Sequence, residues 1–129
     1  MNIAIISLNI GNIASVRNMI KQLGHNVVYL DKPDNMHYDT IVLPGVGSYD
    51  YGMQKLKDNG WTNYLKDNEN IHNQNTKLFG ICLGMQLLCD GSEEGDLPGL
   101  GLIPGFFKKF DKSINLPIPH MGWNEVHYS

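Results

Sequence analysis

Gly80-Ile81-Cys82-Leu83-Gly84 is the stretch of this chain best suited to covalent chemistry. A G-x-nucleophile-x-G sequence between an apolar strand-like run and a helix-like run marks a nucleophile elbow. The reactive side chain sits there on a sharp turn in a strained conformation, and larger residues two positions to either side would collide with neighbouring backbone. A helix beginning at Leu83 directs its positive end at the sulfur, a setting that supports a developing oxyanion. An isolated cysteine is most simply a small buried hydrophobe. The paired glycines and the strand-to-helix context favour the reactive reading of Cys82.

Pro44-Gly45-Val46-Gly47-Ser48 follows another strand-like run, at the strand end where open α/β sheets place their ligands. Its glycines free backbone N–H groups to approach a substrate, as an oxyanion hole requires. Alone it reads as an ordinary turn with Ser48 as helix N-cap; beside an elbow the functional reading gains. Ser92-Glu93-Glu94 is either a solvated acidic turn or the source of a carboxylate for a substrate ammonium. Gln86 stands four residues after Cys82, about one helical turn away, and faces either the same cleft or solvent. A cysteine nucleophile also needs a general base. His25, His37 and His72 read as surface residues, and neither His120 nor His127 has a carboxylate two positions on. No metal-ligand spacing and no phosphate-binding glycine fingerprint is present, so no metal and no cofactor is expected.

These segments need a scaffold, and the chain supplies alternating strand and helix signals. Residues 2–8 and 26–30 read as short buried strands, 39–43 and 76–81 as two more. Between the first two, Ile13, Val16, Ile20 and Leu23 recur at helical spacing, with Gly24 placed as a C-terminal cap. Helices are expected over 49–59, 61–70 and 83–89. The alternation implies an α/β fold, an open, mainly parallel sheet with helices on both faces. Beyond Gly91 the pattern changes, and residues 106–110 suggest a strand of a separate, antiparallel portion. Residues 117–129 end without a terminal helix.

The chain has 129 residues, a net charge of −3 and two cysteines seven positions apart. That length suits one domain. The charge offers no footprint for nucleic acid or an anionic membrane. Residues 3–6, the longest apolar run considered at the N-terminus, are far too short for export or spanning. Cys82 and Cys89 flank one helix, roughly 10 Å apart along its axis, too far to bridge. A reducing, cytoplasmic location is expected.

Taken in order, Pro44-Gly45-Val46-Gly47-Ser48, the run from Gly80 to Leu88, Ser92-Glu93-Glu94 and Pro119-His120-Met121-Gly122-Trp123-Asn124 resemble the glutaminase subunits of imidazole glycerol phosphate synthase, class I (triad) glutamine amidotransferases of flavodoxin-like fold. The resemblance implies that Cys82 attacks the side-chain carboxamide of L-glutamine. The amides of Val46, Gly47 and Leu83 would stabilise the oxyanion, and Gln86 and Glu94 would hold the substrate's polar ends. It further implies a (β/α)₈ cyclase partner receiving the ammonia, in histidine biosynthesis, with Asn12, His120, Met121, Gly122, Trp123 and Asn124 near that partner.

The chain departs from the pattern at two places. Ser7-Leu8-Asn9-Ile10 stands where the family has an Asp-Tyr-type pair. The family's late His-x-Glu segment, its base and orienting carboxylate, has no counterpart here, so the expectation is one C-terminally incomplete amidotransferase domain over residues 1–129. Such a chain would be inactive alone, since a triad acts as a unit, and prone to self-associate through an uncovered sheet edge. Two other readings stay open: a paralogue supplying ammonia to a sugar-modifying synthase, and a non-catalytic interaction module.

Overall fold

A computed structural model describes residues 1–10 and 13–128; Asn12, expected at a partner surface, lies outside the described residues. The isoleucine-rich first segment forms β1 (Asn2–Ile6), with Ala4, Ile5 and Ile6 fully buried. A continuous apolar run suits a strand covered on both faces. β2 (Asn26–Leu30), β3 (Thr40–Gly45) and β4 (Lys77–Cys82) complete a sheet of order β2-β1-β3-β4. All its pairings are parallel. The chain runs outward from β1 to β2, then back across β1 to β3. Open sheets bind ligands at the carboxyl ends of their strands near such a reversal.

Side chains alternate between the two faces of the sheet. Ile3, Ile5 and Val42 face α1 (Ile13–Gln22) and pack with its Ile20. Leu23 is exposed, and Gly24 ends the helix with a φ of 83°. Ala4, Ile6, Ile41 and Leu43 face the other way, against α2 (Tyr49–Asp58), α3 (Trp61–Asp67) and α5 (Leu83–Leu88). Trp61, fully buried, donates its indole N–H to the Asp31 carbonyl at 3.1 Å and fixes the far end of this layer. Helices on both faces of a parallel sheet are thus borne out. The outer edge of β4 has no strand partner among the described residues, and Phe79 on it is exposed.

Two expectations need correction. The single helix over 61–70 is two: Asn68 leaves helical geometry and its side chain accepts from the Asn70 N–H, starting α4 (Glu69–His72). An asparagine side chain competes well for local backbone in this way. The late strand is only β6 (Phe106–Phe107), and it pairs parallel, not antiparallel, with β5 (Gly91–Ser92). The connection between them turns back beside α5, where Gly99 N–H donates to Asp90 and Leu100 N–H to Leu87. It delivers Gly105 to the start of β5, where the Asp90 carboxylate accepts its N–H at 2.8 Å. The second strand therefore begins next to the beginning of the first.

Candidate functional site

β4 leads directly into α5, and Cys82 is the residue at the junction. It has φ 55° and ψ −117°, a conformation that costs a non-glycine residue on the order of 1–3 kcal/mol. The flanking glycines explain how so tight a turn fits. A Cβ on Gly84 would lie 1.7 Å from the Leu43 carbonyl oxygen, and one on Gly80 would lie 2.6 Å from the Met85 Cα. Both positions are filled by backbone, so no side chain is admissible there. Cys82 is exposed, whereas Cys89, at the other end of α5, is buried and its thiol is pushed up by desolvation. The two thiols sit in different surroundings. α5 has only six residues, so any support for charge at Cys82 comes from the unpaired N–H groups of its first turn rather than from a long dipole.

β3 ends beside this turn. Gly45 pairs with Cys82 in register, and a Cβ on Gly45 would lie 3.1 Å from Leu83 Cβ. The Pro44–Ser48 stretch is therefore held against the elbow. Beyond Gly45 it turns outward: Val46 is exposed, and Gly47 has φ 119°, a conformation open to glycine. Ser48 occupies the N-cap position of α2 but makes no side-chain cap bond. The simple capping explanation of this serine is thereby removed. Leu83 itself is buried, and its side chain packs into the core beneath the turn.

Gln86 and Glu94 come together. Both line a groove of about 550 Å³ with Met85, Phe107, Lys108, Lys109, Phe110, Lys112, Ile118 and Pro119. Gln86 accepts from the buried Ser92 hydroxyl at 3.2 Å, and the same hydroxyl accepts from the Glu94 N–H at 3.2 Å. Neighbouring Glu93 accepts from the Lys109 N–H. Cys82 is not among the groove's lining residues; it immediately precedes the short helix that carries Gln86, four residues earlier in the chain. The three lysines give this groove cationic character that the acidic Ser-Glu-Glu motif did not suggest.

The histidines divide by sheet edge. His25 precedes β2, His37 precedes β3 and His72 precedes β4, so all three lie at the amino ends of the strands. Cys82 lies at the carboxyl end, roughly 17 Å off along a strand of this length. His120 and His127 belong to the exposed tail, where His120 meets Asn124 and His127 approaches Glu125. Met121, Gly122, Trp123 and Asn124 are likewise exposed, Trp123 completely. Sequence reasoning missed Asp50, whose carboxylate accepts from the Asp96 and Leu97 N–H groups. Its place in a first helical turn reads only as a dipole partner, and no local signal ties it to a loop 46 positions later.

Among the described residues, no group of three His, Cys, Asp or Glu is placed to hold a metal ion, and no helix is long and apolar enough to cross a membrane. Residues 2–114 match the family of CobB/CobQ-like glutamine amidotransferase domains. The chain is 45% identical over 128 residues to an imidazole glycerol phosphate synthase subunit HisH of Methanococcus maripaludis, covering 98% of this chain and 62% of that one. It is 40% identical over 128 residues to the HisH subunit of Gloeobacter violaceus (98% and 55%). Against that of Staphylococcus epidermidis it is 43% identical over 125 residues (96% and 62%). The chain thus spans 55–62% of the length of these relatives. The crystal structure of a glutamine amidotransferase superposes with a TM-score of 0.67 at 18% identity, over 82% of this chain and 55% of that one. At that identity the likeness speaks to the fold.

Proposed function

This chain belongs to the family of CobB/CobQ-like glutamine amidotransferase domains, and from that membership we propose that it carries the nucleophile and substrate-holding half of a glutaminase. The Cys82 thiolate attacks the side-chain carboxamide carbon of L-glutamine, and backbone N–H groups of Val46, Gly47 and Leu83 receive the negative oxygen. The C–N bond breaks, the nitrogen takes up the proton that the thiol gave to solvent and leaves as ammonia, and a γ-glutamyl thioester remains. Water then cleaves the C–S bond to give glutamate and the free thiol. Gln86 and Glu94 hold the amino-acid end of the substrate, the Glu94 carboxylate facing its ammonium.

The observation that carries this reading is the exposed sulfur at a turn that two glycines keep clear of side chains. A core cysteine would need neither the strain nor the paired glycines, which weighs against a non-catalytic module. The names of the similar HisH subunits support a further reading, that the ammonia passes to a (β/α)₈ cyclase subunit in histidine biosynthesis. The exposed segment from His120 to Asn124 is then its docking face. No histidine at the amino edge of the sheet can serve as base for Cys82, so turnover by these residues alone is expected to fall orders of magnitude short of a full triad. The test is glutamate release from L-glutamine, with and without the cyclase subunit, by the chain and its Cys82→Ala variant. At most slow release, lost in Cys82→Ala, is expected; the same measurable rate from both chains would refute the assignment, and robust release by the parent alone would refute its expected inactivity.

A further inference from the structure

We propose that Asp50 is a positioning residue that holds the Glu94 turn in the orientation receiving the amino-acid end of the substrate. The inference rests on the glutamine reading above and adds to it a residue that touches no substrate. Asp50 lies in the first turn of α2, after the short loop that follows Gly45, the β3 residue paired with Cys82. One carboxylate oxygen accepts from the Asp96 N–H and the Leu97 N–H at 2.9 Å each, and the other accepts from Asp96 at 3.1 Å.

The turn is also packed tightly onto this carboxylate. A Cβ on Gly95 would lie 2.3 Å from Asp50 Oδ1 and 2.7 Å from Tyr49 Cδ1. Glu94 therefore sits between two anchors. On one side the Ser92 hydroxyl holds its N–H and reaches Gln86 on α5; on the other Asp50 holds Asp96 and Leu97. One anchor belongs to the helix of the nucleophile, the other to the helix following the Val46–Gly47 loop. An acidic residue serving only its own helix would direct its lone pairs at that helix's free N–H groups. Asp50 gives them to a distant turn instead. Charge-assisted bonds to backbone N–H groups are among the stronger ones available, so their loss lets the turn, and Glu94 with it, drift.

The test uses a chloroketone analogue of glutamine, whose methylene carbon forms a thioether with Cys82 as chloride leaves. Saturation kinetics separate the concentration for half-maximal rate, which reports on the groups holding the amino-acid end, from the limiting rate, which reports on the thiolate. Iodoacetamide, lacking that end, serves as control. Asp50→Ala is expected to raise the half-saturating concentration about tenfold, leaving the limiting rate and the iodoacetamide rate unchanged. Asp50→Asn, which keeps an acceptor oxygen, is expected within about threefold of the parent and carries the test if the alanine variant does not fold. In a Glu94→Ala background the Asp50 substitution should add less than about twofold, since both act through one group. A parent-like value for Asp50→Ala, or an undiminished effect in the Glu94→Ala background, overturns the proposal while L-glutamine still protects the parent. If L-glutamine fails to protect the parent chain, the glutamine reading itself falls, and this inference with it.

Discussion

Substituting alanine at Gly84 and at Gly52 makes one chemical change in two helices with opposite expected outcomes. Either replacement removes glycine from a helix, a gain of at most about 1 kcal/mol. At Gly52, in α2, the new methyl would lie 3.0 Å from Leu87 Cδ1. That neighbour is the tip of a flexible side chain, which needs to give only a few tenths of an ångström, so the net change should stay within about 1 kcal/mol. At Gly84 the neighbour is the Leu43 carbonyl oxygen at 1.7 Å. Carbon and oxygen are comfortable near 3.3 Å, so β3 and α5 would have to part by about 1.5 Å. That separation would pull Gly45 from its register with Cys82. Overpacking against movable side chains costs about 1–3 kcal/mol; against backbone in the sheet we expect a loss of about 3 kcal/mol or more, well beyond the propensity gain. Urea unfolding of the two variants against the parent measures this, provided the slope is unchanged so that the midpoint reports stability. A Gly84→Ala chain within 1 kcal/mol of Gly52→Ala would refute the elbow geometry.

Cys82→Gly should be about 1–2 kcal/mol more stable than Cys82→Ala, because only glycine adopts φ 55° and ψ −117° without strain; urea midpoints showing the reverse order would remove the strain. Alkaline conditions should weaken the fold. Burial, with a hydrogen bond to Asp34, raises Tyr38 to about 12 from its ordinary 10.0, and burial raises Tyr49, Tyr64 and Cys89 as well. In that window the folded chain retains protons that the unfolded chain releases. Stability is therefore full below the ordinary thiol and phenol values and declines as pH rises toward about 12. Urea titrations at about pH 8 and about pH 11 check the direction, and an unchanged or higher midpoint at the alkaline value would contradict it. The edge of β4 that has no strand partner among the described residues, with Phe79 58% exposed, should drive concentration-dependent self-association. Light scattering at tens of micromolar should show it weakened by Phe79→Lys; a monomer at every concentration would count against it.

Much of this architecture was legible because its signals are local. β2 was read at its observed bounds, since the Gly24 cap before it and the loop after Leu30 punctuate it on both sides. α1 was read from four apolar positions and a glycine cap, though Leu23 proved exposed once the helix had ended. The elbow was legible for a stronger reason: Gly80 and Gly84 are demanded by backbone atoms 2.6 Å and 1.7 Å from their missing side chains, and only glycine survives such a contact. The break at Asn68 was not legible, because the residue lies inside a stretch that reads as one helix over 61–70, while in three dimensions its side chain caps a new one. The parallel pairing of Phe106–Phe107 was beyond reach, as it depends on Asp90 gripping Gly105 across a long turn. Asp50 was invisible for the same reason. Its partners are set by the fold, and its own position already had an adequate local explanation.

The central claim is that Cys82 is a glutamine-directed nucleophile, and mass mapping of the chain after treatment with the chloroketone analogue tests it most directly. One adduct is expected, on Cys82, suppressed by excess L-glutamine but not by L-norleucine, which lacks a side-chain carboxamide, with buried Cys89 unmodified. An unlabelled Cys82, or labelling indifferent to L-glutamine, would contradict it.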